Sequence, residues 1–134
     1  MSRVLGLVLL TLLTACSNLP AHNPQQAWVD LSAFAVDSLQ AVQLDGQPWA
    51  AADYFQVTPG SHTLGLSFQF VAADDDSRDP EQQSCDFSLS YENFKAGKNY
   101  HLVAGWYPAG AWLRLLDERG EQLAYETCGS FGDY

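Results

Sequence analysis

At 134 residues, 47% of them hydrophobic, the chain has room for one domain with a real core and none for a second. Sixteen acidic residues against six basic ones give a net charge of −10, a field that repels nucleic acid and anionic headgroups and excludes a nucleic-acid partner.

The chain opens on Met1, Ser2 and the cation Arg3, runs from Val4 to Leu13 almost without polar interruption, and reaches Thr14, Ala15 and Cys16. One cation, a short apolar stretch and small residues at the cut make a secretory signal. The apolar stretch is about half of the roughly 20 residues that a helix needs to span a bilayer, which argues for export and against a permanent span. Leu13-Thr14-Ala15-Cys16 resembles the lipobox that signal peptidase II reads in bacterial lipoproteins. The resemblance implies cleavage before Cys16, a diacylglycerol on its thiol and an acyl chain such as palmitate on its freed amine. With ~0.8 kcal/mol gained per buried CH₂ and two lipid signals already sufficient for stable anchoring, such a terminus stays in the membrane. The alternative is an ordinary signal peptide cut after Ala15 that leaves Cys16 a free thiol. Ser17 stands where inner-membrane retention asks for Asp, so the same resemblance implies an outer-membrane lipoprotein facing the periplasm.

Residues 1–15 are thus read as signal peptide, 16–26 as lipidated cysteine and tether, and 27–134 as the domain. The mature chain keeps five of the six basic residues against all 16 acidic ones, so its membrane attachment has to come from the lipid. The tether is rich in Ser, Asn, Pro and Gln and also holds His22, for which no fixed geometry is expected.

Beyond it, apolar residues alternate with period two, the mark of half-buried strands. The expected inward sets are Val29, Leu31 and Ala33; Val42 and Leu44; His62, Leu64, Leu66, Phe68 and Phe70; Cys85, Phe87, Leu89 and Tyr91; Tyr100, Leu102 and Ala104; Leu113 and Leu115; Leu123 and Tyr125. Turn chemistry falls between them at Asp45-Gly46, Pro59-Gly60, Ala96-Gly97 and Glu118-Arg119-Gly120. Ala50 to Phe55 is a helix-like window too short to weigh against this. Seven or eight short strands predict an all-β fold, a single β-sandwich or small barrel.

Asp45-Gly46 followed by Val57-Thr58-Pro59-Gly60-Ser61-His62-Thr63-Leu64 resembles the hairpin of PEGA-type surface β-domains. That likeness implies an immunoglobulin-like or PEGA-like sandwich of structural or adhesive use. Cys85 and Cys128, in a chain bound for an oxidising compartment, allow one intramolecular pairing. The sequence has no CxxC for redox chemistry and no nearby His cluster for zinc, so a Cys85–Cys128 disulfide is expected.

For chemistry the chain offers few constellations. His62 begins the best strand on its inward face and is read as a strand-end histidine with a backbone partner, and His101 as solvated. No GxSxG, HExxH, P-loop or dinucleotide fingerprint occurs, and the reading is that the protein is not an enzyme and has no cofactor. Residues 74–81 hold five carboxylates. Asp74, Asp76 and Asp79 have some of the spacing of a calcium loop, but the loop lacks the EF-hand glycine and carries Arg78, so a solvated acidic loop is expected and no metal. Trp106, Tyr107 and Trp112, joined by Pro108 and Gly110, are the candidate binding surface, because rings presented at a strand connection suit a sugar, peptide or protein. The resulting expectation is a non-enzymatic, membrane-anchored structural or protein-interaction module with an envelope protein as partner. The alternative is a periplasmic module that binds a cation or a glycan.

Overall fold

The computed structural model describes residues 21–34, 36–72, 81–107 and 109–128. They form nine strands: β1 (Ala27–Ser32), β2 (Ser38–Leu44), β3 (Gln47–Pro48), β4 (Tyr54–Val57), β5 (Gly60–Ala72), β6 (Glu81–Phe94), β7 (Asn99–Gly105), β8 (Trp112–Leu116) and β9 (Gln122–Thr127). The protein is an all-β sandwich. One sheet has the order β4-β1-β7-β8-β9 and the other β3-β2-β5-β6.

The alternation in the sequence is what closes the two sheets on one another. Val29, Phe55, Val57, Leu102, Leu113 and Leu115 face inward from the first sheet, and Leu39, Ala41, Leu64, Leu66, Phe68, Phe87 and Leu89 from the second, in one buried cluster. No buried residue among those described is polar or charged. Burying such side chains at about 25 cal/mol per Å² is the main favourable term in a fold of this size. Thr, Ser and Gln take the opposite face of β5 and β6, where Thr63 and Ser90 hydrogen-bond through their hydroxyls at 2.8 Å.

All pairings are antiparallel except β1 with β7, where Trp28 lies beside Asn99 and Ser32 beside Val103. The ladders define two ends. At the near end, where Gln26 leads into β1, lie the turns at 45–46, 58–60, 95–98 and 117–121. At the far end lie the β1–β2 loop, the β7–β8 connection and the ends of the long β5–β6 hairpin. Cys85 and Cys128 are bonded, with Cα atoms 6.0 Å apart and 43 positions between them in sequence. They join the edge strand β6 to the chain leaving the edge strand β9, so the bridge clips the two sheets together along one side.

Four expectations are corrected: the facing of Val42 and of Tyr125, the free tether and the number of strands. Val42 faces outward, in step with the inward Leu39 and Ala41 before it, and the bulge between Ala41 and Gln43 shifts the period so that Leu44 packs against the core without it. Tyr125 is likewise exposed: a bulge on β9 at Leu123, opposite Leu115 and Leu116, lets Leu123 and Ala124 pack against the core in its place. Ala50 to Phe55, discounted as a helix from the sequence, is a turn followed by the start of β4. The segment before β1 is docked from residue 22 onward, since the Asn23 amide donates to Gln56 Oε1 at 2.6 Å and the Gly97 amide to the Gln26 carbonyl at 2.9 Å. Nine strands stand in place of seven or eight, the ninth being the two-residue β3, whose Pro48 fits its place at a sheet edge.

Candidate functional site

At the far end the backbone carries more apolar surface than the core can cover. The β1–β2 loop turns through a hydrogen bond from the Asp37 amide to the Phe34 carbonyl at 2.8 Å. That turn leaves Phe34 65% and Val36 79% exposed. In the neighbouring β7–β8 connection Tyr107 is 74% exposed. Trp106 differs: its indole stacks on Phe70, with centroids 6.1 Å apart and planes 16° apart, and packs partly buried against the core. Tyr107 meets the edge of Trp106 at 6.2 Å.

Trp112 goes elsewhere. It stands opposite Gly105 in the β7–β8 ladder, on the outer face of the five-stranded sheet. Its ring lies across Gly105 so closely that a Cβ there would clash with the indole. The indole N–H donates to the Tyr107 carbonyl at 2.9 Å, and the Arg114 guanidinium sits 4.6 Å above the ring. The three aromatic residues singled out from the sequence are therefore divided: Trp106 caps the sandwich end, Trp112 covers a glycine on the sheet, and Tyr107 projects into solvent.

The same outer face carries a second aromatic group that sequence reasoning missed. His22 stacks on Trp28 with centroids 3.7 Å apart, and Trp28 stacks on Tyr54 at 4.3 Å. Trp28 points away from the core, since its neighbours Ala27 and Val29 point into it, yet it is only 3% exposed. Its indole donates to Asp30 Oδ1 at 2.6 Å, and the other Asp30 oxygen lies 3.5 Å from His101 Nδ1. The alternation along β1 puts Trp28 outward, but no pattern in the sequence says that His22 covers it; the path of the incoming chain decides that.

At the near end Asp45, His62 and Thr58 are in contact. Asp45 Oδ2 is 2.6 Å from His62 Nδ1, and His62 Nε2 is 2.8 Å from the Thr58 carbonyl and 3.1 Å from the Thr58 hydroxyl. Carboxylate, imidazole and hydroxyl in this order have the outline of a nucleophilic triad. The carbonyl argues against that use, because it only accepts, so Nε2 has to donate to it and cannot take the hydroxyl proton. The group is better understood as a clip between two turns. Hydrogen bonds from the Thr63 amide and from His62 hold the Asp45 carboxyl below its ordinary value.

Cys16 and the loop carboxylates Asp74, Asp76 and Asp79 lie outside the described residues. Among the described residues no three His, Cys, Asp or Glu side chains are grouped to hold a metal ion. No family model, curated protein or solved structure matches the chain.

Proposed function

We propose that this is a lipid-anchored envelope protein without enzymatic activity, whose sandwich presents a protein-interaction surface at the end away from the membrane. The observation that carries the reading is the separation of two features along the strands. The chain enters at the near end, through Asn23 and Gln26, and the exposed Phe34, Val36 and Tyr107 stand at the far end. An anchor on Cys16, a few residues before the docked segment, holds the near end toward the bilayer and turns the far end outward. A glycan platform asks for open ring faces, but Trp106 is stacked on Phe70 and Trp112 lies between Gly105 and Arg114. Side chains the size of Phe34 and Val36 each gain ~1.5–3 kcal/mol when fully buried, enough for two or three of them to anchor a partner.

Photo-crosslinking in native membranes tests the reading, with the reactive side chain placed in turn at Phe34, Val36 and Tyr107 and, as controls, at Ser88 and Ser90. One envelope protein captured from the three far-end positions and not from the controls is expected. Equal capture from all five, or none from the far end, overturns it. Mass spectrometry of the N-terminal peptide checks the anchor separately, since a lipidated Cys16 is expected as its first residue.

A further inference from the structure

The near end holds a cleft of about 350 Å³ between the β6–β7 and β8–β9 turns. Lys95, Lys98 and Arg119 line it, three of the six basic residues in a chain of net charge −10. Such a concentration is unexpected on a surface this acidic, and none of the three has an ion-pair partner among the described residues.

The two carboxylates of the cleft are engaged with backbone. Asp117 Oδ1 accepts the Arg119 and Glu121 amides, each at 2.9 Å, and Glu118 Oε2 accepts the Asn99 amide at 3.0 Å. The last bond ties the two turns together across the cleft. The floor is aromatic: Tyr91 and Tyr100 line it, both in edge contact with Phe94 at 5.0 Å, and the Tyr100 hydroxyl accepts the Lys95 amide at 3.0 Å. Burial pushes the Tyr100 phenol up, which keeps that hydroxyl neutral. The structure therefore offers three cationic side-chain arms without ion-pair partners among the described residues, two carboxylates fixed in place, and a ring floor able to pack against carbon.

We infer that this cleft binds a phosphodiester monoanion with a small polyol or alkyl substituent, the chemistry shared by an anionic phospholipid headgroup and a free glycerophosphodiester. Three cations and two carboxylates leave one net positive charge, which matches one negative charge better than the two of a phosphate monoester. The arms supply charge-assisted hydrogen bonds to the non-ester oxygens, and the tyrosine floor takes the substituent. The cleft opens at the end where the chain enters the domain. If the anchor on Cys16 holds as proposed, that end faces the bilayer, and the headgroup is the nearer source. The site itself does not depend on the far-end surface or on the anchor.

The test uses the mature chain in a non-ionic detergent, titrated with glycerophosphoglycerol while amide shifts are followed by NMR. Shifts centred on residues 91–100 and 117–123 are expected, with binding weakened roughly tenfold or more in a Lys95→Gln, Lys98→Gln, Arg119→Gln variant and unchanged in Arg114→Gln, whose cation sits on the outer sheet face. The absence of saturable shifts, or shifts that survive in the triple variant, overturns the site. A second arm compares nanodiscs of phosphatidylcholine with and without phosphatidylglycerol. A change at the cleft only with phosphatidylglycerol assigns the headgroup as source; binding of the soluble probe with no such preference assigns a free phosphodiester.

Discussion

Asp45 adopts a positive φ of 54° beside Gly46 at 81°, the geometry of a tight two-residue hairpin turn that Asp-Gly favours. The consequence reaches beyond the turn, because the conformation aims both carboxylate oxygens back at His62 and the Thr63 amide. A carboxyl held below its ordinary value of 3.8 contributes stability that is complete above that value and lost as pH falls through the lowered one. Asp45→Asn should therefore be less stable than the parent at pH 7, with the difference shrinking toward zero as urea melts are repeated below about pH 3.8. A difference that stays constant into acid would show that the turn geometry matters and the charge does not. Gly105 makes the complementary point. Nothing local requires a glycine at the last residue of β7; the Trp112 ring occupies the space a side chain there would take.

Elements of this fold obey the period-two rule until a bulge intervenes. β5 follows it from His62 to Phe70 and β6 from Cys85 to Tyr91, before the register shifts near Gly60 and Phe94, so Leu64 to Phe70 and Cys85 to Leu89 could be assigned inward from sequence. β2 and β9 could not, because one extra residue at Val42 and an irregular register at Leu115 and Leu116 reverse the faces beyond them, and a bulge has no composition signal of its own. The segment before β1 reads as a polar tether yet is held by its stack on Trp28. His22→Ala should cost ~0.5–1.5 kcal/mol of stability, the range of an aromatic pair beyond its buried area, and should red-shift tryptophan fluorescence by opening Trp28 to water. Unchanged emission would mean that Tyr54 alone covers the indole.

For the whole molecule the bridge between Cys85 and Cys128 is a covalent cross-link between the sheets in addition to the backbone connections. Closing a loop of 43 residues removes chain entropy from the unfolded state worth about 4 kcal/mol, a large share of the few kcal/mol by which a small domain is stable. Reduction by dithiothreitol should lower the stability from urea melts by that order and loosen β6 from β9 first, seen as faster amide exchange on those two edge strands. An unaltered midpoint on reduction would show that sheet packing alone sets the stability.

The all-β class, most of the inward-facing residues, the turn positions and the cysteine pair were legible along the chain, because alternation, Gly placement and pairing arithmetic are local or countable properties. The proposed anchor and the proposed division of surfaces between the two ends rest on the sequence of residues 1–16 and on topology together. Three things were decided only by tertiary structure. Trp106, Tyr107 and Trp112, adjacent in sequence, separate because a strand sends successive side chains to opposite faces and a glycine opposite Trp112 opens a seat for its ring. His22 finds a partner because β1 places Trp28 on the outer face beside the incoming chain. Lys95, Lys98 and Arg119 become one cationic cleft because the β6–β7 turn, which crosses between the sheets, and the β8–β9 hairpin turn end at the same height of the sandwich, an outcome of strand register that no local pattern encodes.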